Sequence, residues 1–220
     1  MTNYILEIEL LSAALVGSGV GFGSSIDTDI VFDDLGLPHI PAKRIKGCLR
    51  DAAEEVREVF EGASITTGEI QIKETFGGIG AKDSAPVYFS NLYLEDFEQA
   101  RGWLRYFVKS DKYKQFITPD HILDTFTEIR QQTKIGDDGV AFDHSLRTIR
   151  MLRKGLIFRG DLRMKANDEQ VLNTMLFACK NFRRFGTKRN RGFGEVRCTL
   201  CDKDGQPLAI NQKLEDLCTA

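Results

Sequence analysis

Gly36-Leu37-Pro38-His39-Ile40-Pro41-Ala42-Lys43-Arg44-Ile45-Lys46-Gly47-Cys48-Leu49-Arg50 is the stretch on which the fold turns. Beyond Pro41, Ile45, Leu49, Ala52, Val56 and Val59 recur at helical spacing, with Asp51, Glu54, Glu55 and Glu58 on the other side. Pro41 places the start of this amphipathic helix near Lys43. Its opening turns are basic, carrying Lys43, Arg44, Lys46 and Arg50 where the helix dipole favours acids. Cations beside the free N–H groups of a helix start predict an anion there; the plain alternative is long side chains reaching into water.

Working outward, Leu6, Ile8 and Leu10 alternate with Glu7 and Glu9, which predicts a half-buried strand over 4–10. Val87 to Leu94 reads as a strand and Glu95 to Val108 as a helix weakened by Gly102. Leu156 to Met164 reads as another strand. Val171, Met175, Cys179 and Phe182 mark a second amphipathic helix, and Phe193 to Leu200 a last strand. Between them, Lys109 to Lys154 is polar and irregular, with turn residues at Gly136 to Gly139, as an inserted segment would be. Without it the order is strand, helix, strand, strand, helix, strand. That predicts an α+β, ferredoxin-like (RRM-like) βαββαβ core in one domain over 1–220. The insertion is expected at about 95–154, its thumb-like part at 125–154.

Hydrophobic residues make up 42% and charged residues 28%, a globular balance that excludes global disorder. No apolar run is long enough to span a bilayer, and the start at Met1 lacks a secretory pattern, so no membrane and a cytoplasmic location are expected. Five cysteines without a framework fit free thiols in a reducing compartment. Cys198 and Cys201 have the spacing of half a zinc site but no partners to complete it, and read as positions in the last strand and the turn after it; no metal ligand set is assigned. The net charge of -2 carries no global nucleic-acid signature, but its distribution does. Lys180, Arg183, Arg184, Lys188, Arg189, Arg191 and Arg197 stand against the single acid Glu195, and Lys43 to Arg50 form a second knot.

Glycines 17, 19, 21 and 23 do not make a dinucleotide-binding loop: Phe22 stands where the last glycine should be, and no helix follows directly. The loop after the second helix, Phe185 to Gly194, mixes glycines with Lys188, Arg189 and Arg191. Backbone N–H groups and cations in such a loop meet phosphates at close range, gripping a nucleic acid without reading its sequence.

Residues 36–50 resemble the "G-x-P-x-I-P-(G/A)-S-S-x-K-G-x-x-R" signature of the RAMP superfamily of CRISPR-associated proteins. Further segments follow in the family's order: Ile26-Asp27, Glu74 to Gly77, Val87 to Asn91, Thr133 to Ile135 with Gly139 and Ala141, Leu146-Arg147 running to Phe158, and the glycine-rich loop at 185–194. They are similar to the backbone subunits of type III effector complexes. The sequence departs from the pattern at Lys43-Arg44 in place of two serines, at Asp29 where Pro is common, and at Asn91 where an acid is usual.

The resemblance implies guide RNA and target RNA as partners, other effector-complex subunits as neighbours, and self-association along the guide. It implies RNA contacts at Lys43, Arg44, Lys46, Arg50, Lys134, Arg147, Arg184, Lys188, Arg189 and Arg191. Asp27 matches the family's nuclease aspartate, so metal-dependent target cleavage there is expected if the chain is catalytic, with a divalent metal, Mg first, as cofactor. The carboxylate could alternatively orient a ribose 2′-hydroxyl. Two other functions stay open: a purely structural RNA-binding subunit, and a guide-processing endonuclease drawing on His39, His121 or His144.

Overall fold

The alternation read in residues 4–10 becomes strand β1, Thr2–Leu10, which buries Leu6, Ile8 and Leu10 and turns Glu7 and Glu9 the other way. The computed structural model describes residues 1–17, 26–65, 70–78, 87–137, 139–164, 168–187 and 191–210. In chain order the remaining elements are β2 (His39–Ile40), α1 (Ala42–Gly62), α2 (Ile72–Phe76), β3 (Tyr88–Phe89) and β4 (Leu92–Leu94). After them come α3 (Phe97–Lys109), α4 (Pro119–Phe126), β5 (Thr127–Gln132) and β6 (Arg147–Leu152). The chain then runs through β7 (Ile157–Met164), α5 (Glu169–Asn181) and β8 (Val196–Cys201).

The main sheet is antiparallel in the order β2-β4-β7-β1-β8, with β3 also on β7. Counting β3 and β4 as one interrupted strand, the core strands lie fourth, first, third, second. The fold is ferredoxin-like α+β, as expected. Helices α1 and α5 supply Ile45, Leu49, Ala53, Met175, Ala178 and Cys179 to the same core as Leu6, Phe158, Leu162 and Leu200 of the sheet. The other sheet face is charged: Arg159 bonds Glu7 of β1 at 2.7 Å and Glu95 at 2.6 Å, and Arg197 bonds Glu9 at 2.8 Å.

Three local readings change. The strand expected over 87–94 is interrupted at Ser90-Asn91, where both side chains make hydrogen bonds of their own. Ser90 Oγ accepts the Asp161 N–H at 2.7 Å, and Asn91 Oδ1 accepts the Ala42 N–H at 2.9 Å, tying the sheet to the first turn of α1. Cys198 and Cys201 both lie inside β8, and both are buried. Contact with Cys179 of α5, with burial added, pushes the Cys198 thiol well up.

Residues 109–154 are also more regular than their polarity predicts. They hold α4 and the antiparallel pair β5–β6, a two-stranded sheet of its own. A small second core of Leu15, Ile149 and Met151, flanked by Ala13 and Phe193, packs the base of this hairpin between the segment after β1 and the glycine-rich loop.

Candidate nucleic-acid interface

The glycine-rich loop is built on α5. Beyond Asn181 the chain pairs back on itself: Val196 N–H donates to Arg183 O at 2.9 Å and Phe185 N–H to Gly194 O at 2.7 Å. Its two ends are then pinned to the segment after β1, with Thr187 N–H donating to Leu15 O at 3.1 Å and Gly194 N–H to Ala13 O at 2.8 Å. Two glycines allow this approach. Gly186 and Gly194 have φ of +91° and +74°, and a Cβ there would stand 2.4 Å from Leu15 O and 2.0 Å from Phe185 O. Lys188 and Arg189, expected as phosphate contacts, lie outside the described residues, as do glycines 19, 21 and 23.

Between this loop and α1 lies an open cleft of about 990 Å³. Arg44, Cys48, Asp51 and Glu55 line it from the helix, and Asn181, Arg183, Arg184, Gly186, Thr187 and Arg191 from the α5–β8 connection. The two basic knots of the sequence therefore meet, but only in part. Arg44, Arg184 and Arg191 share the cleft, whereas Lys43, Lys46 and Arg50 follow one another at i, i+3 and i+7 on a different line of α1. Arg50 is engaged there, donating to Gly77 O at 3.4 Å and lying 3.8 Å from Glu54. Arg183 belongs to the cleft as well. It stood in the basic tract of the sequence, but nothing in the tract distinguished it from Lys180, which is not in the lining.

A second locus lies at the base of the β5–β6 hairpin. Residues 26–31 run beside β6, with a parallel bridge between Thr28 and Ile149. Asp27 closes this seam. Its Oδ2 accepts the Thr148 N–H at 2.8 Å, its Oδ1 accepts from Arg147 Nη1 at 3.0 Å, and its own N–H donates to Thr148 O at 2.9 Å. The Thr148 N–H, and then the Arg147 guanidinium, hold this exposed carboxyl below the usual carboxylate range. Behind it, buried Asp29 lies 3.4 Å from Arg150 Nε, while Arg150 Nη1 bonds Asp124 of α4 at 3.0 Å. Lys134 stands towards the hairpin tip with its ammonium 4.6 Å over the Phe142 ring, and Arg130 lies 5.4 Å over Phe193 of the glycine-rich loop.

The donor set around Asp27 does not fit a protein-held divalent cation. Its nearest charged partner is a guanidinium, Asp29 is turned into a buried ion pair, and among the described residues no group of three or more His, Cys, Asp or Glu side chains is placed to hold a metal. His39, a sequence candidate for acid–base chemistry, lies on β2. Burial pushes its pKa down, with Asp33 opposing, and its ring packs 5.7 Å from Tyr93.

The RAMP superfamily model matches residues 7–197, and the chain belongs to that superfamily. Among solved structures it is similar to a chain of type III-B Cmr-beta bound to cognate target RNA, at 13% identity and a TM-score of 0.63, covering 91% of this chain and 97% of that one. It is similar also to a chain of type III-B Cmr-beta in the apo state, at 14% identity and a TM-score of 0.63, covering 90% and 97%. At such identities the likeness shows the shared fold. No curated protein matches the chain.

Proposed function

We propose that this chain is an RNA-binding subunit of a type III CRISPR effector ribonucleoprotein, holding guide RNA by its phosphates and presenting target RNA along the β5–β6 hairpin. The observation that carries the reading is the cleft between α1 and the glycine-rich loop, where Arg44, Arg183, Arg184 and Arg191 converge from segments about 140 residues apart in sequence. Superfamily membership and the likeness in fold to chains of type III-B Cmr-beta support the same assignment. Ile129, Ile135, Val140, Phe142 and Leu146 are exposed on the hairpin and offer apolar contacts to a base-paired partner. Self-association along the guide and contact with other subunits belong to the proposal. No helix among the described residues is long and apolar enough to cross a membrane.

Purification of the chain with and without co-expressed guide RNA tests this reading. Recovery of a long ribonucleoprotein supports it, and an RNA-free monomer in both cases sinks it. Target cleavage is a second, finer reading, favoured by the exposed and ionised Asp27 at the hairpin base. With no metal-ligand group around it among the described residues, the carboxylate's part would be to orient a ribose 2′-hydroxyl, with Arg147 beside the phosphate. Cutting by an assembled Asp27→Ala complex at the wild-type rate would leave the binding reading alone.

A further inference from the structure

The cleft is not uniformly basic. On α1 its floor runs Arg44, Cys48, Asp51, Glu55, at i, i+4, i+7 and i+11 along one line of the helix. That row is about 16 Å long, cationic at the end nearest the helix N-terminus and anionic at the other. Glu55 is held in place: Asn181 Nδ2 donates to its Oε2 at 2.9 Å and to Ala52 O at 3.0 Å. Asp51 and Glu55 are both exposed, and Thr187 and Arg191 line the far wall.

Two carboxylates on the floor of a cleft that grips phosphates work against that grip unless their oxygens meet donors. An ionised carboxylate is an acceptor only. A single-stranded RNA backbone carries one donor per nucleotide that DNA lacks, the ribose 2′-hydroxyl. We infer that Asp51 and Glu55 accept ribose 2′-hydroxyls of the strand whose phosphates lie against Arg44, Arg183, Arg184 and Arg191, so that the cleft selects RNA over DNA. This rests on the RNA-binding reading above and adds to it the residues that recognise the sugar. Asn181 is a positioning residue in this arrangement, fixing one oxygen of Glu55 through its side-chain amide.

The test is binding of the full-length chain to three oligonucleotides of one sequence: RNA, DNA and 2′-O-methyl RNA, which keeps the 2′ oxygen but cannot donate. Wild type is expected to bind RNA at least about tenfold tighter than the other two, as expected for one or two hydrogen bonds to a charged group. In Asp51→Ala with Glu55→Ala the preference collapses by about the same factor, mostly because DNA binds better once the repulsion is gone. Both substitutions sit at exposed helical positions, and a thermal melt checks that the fold is kept. If all three oligonucleotides strengthen equally, the carboxylates only repel; if all three weaken equally, they only brace the arginines. Either result overturns the inference and leaves RNA binding standing, whereas wild type binding none of the three sinks the RNA-binding reading itself.

Discussion

The carboxylate of Asp27 and the guanidinium of Arg147 meet at 3.0 Å across 120 residues of sequence, and the pair sits in water. It joins the segment after β1 to the first residue of β6, fixing the entrance to the hairpin. The partner that lowers the Asp27 pKa most, however, is the Thr148 N–H and not Arg147. The seam is therefore a backbone feature first, with the ion pair added to it.

A depressed folded pKa adds stability that is complete above the unfolded carboxylate value and is lost as pH falls through the folded one. The hairpin base is thus expected to loosen only in acid, below the ordinary aspartate range near 3.8. Amide exchange at Thr148, followed from pH 6 down to pH 3, reads this directly. In Asp27→Asn the acid-dependent opening should disappear, because nothing remains there to titrate.

Arg150 has a different task from its neighbour Arg147. Its side chain is 12% exposed against 64%, and it faces Asp29, which is 3% exposed. Removing one member of a buried pair strands the other, so Arg150→Ala is expected to cost about 3 kcal/mol in urea unfolding. Arg147→Ala should leave the midpoint almost unmoved.

Gly192 and Gly194 both have positive φ, +79° and +74°, yet they should respond differently to alanine. At Gly192 a Cβ meets open space, and the cost is the backbone strain alone, about 1 kcal/mol. At Gly194 it would stand 2.0 Å from Phe185 O, so Gly194→Ala is expected to cost about 3 kcal/mol or more and to weaken RNA binding by displacing the loop. Equal stability losses would remove the close-approach argument.

The division of the first basic knot can be read from salt dependence. For a single strand each phosphate contact contributes about 0.7 to the slope of log K against log salt. Arg44→Ala and Arg191→Ala should each lower the slope by about that amount. Arg50→Ala should leave the slope and instead lower stability, because its guanidinium is spent on Gly77 and Glu54.

Thiol chemistry separates the cysteines. Cys48 is half-buried at the cleft, while Cys198 is buried against Cys179 with its pKa pushed well up. Alkylation at pH 8 should modify Cys48 well before Cys198, which reacts only on unfolding, with mass spectrometry of digests as the readout.

Much of this was legible from local pattern. Leu6, Ile8 and Leu10, and the row Ile45, Leu49, Ala52, declare their partners by period alone, because one buried face fixes a strand or helix whatever lies across from it. The hairpin strands were not legible. Β5 exposes Arg130 and Gln131, and β6 owes its place to Ile149 and Met151 finding Leu15, a contact between residues more than 130 positions apart. Asn91, read only as a departure from a family pattern, proves to cap α1 through a bond to Ala42 that no sequence window contains.

The sequence by itself determined the ferredoxin-like order of elements, the superfamily, and the two basic segments around the Gly36 to Arg50 stretch and the glycine-rich loop. Those rest on period, turn chemistry and charge, all of which act over a few residues. Only the tertiary structure decided which cations converge. Packing α1 against α5 brings Arg44 to Arg184 and Arg191 and turns Arg50 away to Gly77, and running residues 26–31 beside β6 hands Asp27 to Arg147. The helical phase of a basic residue is written in the sequence, but what stands opposite that phase depends on how the layers pack.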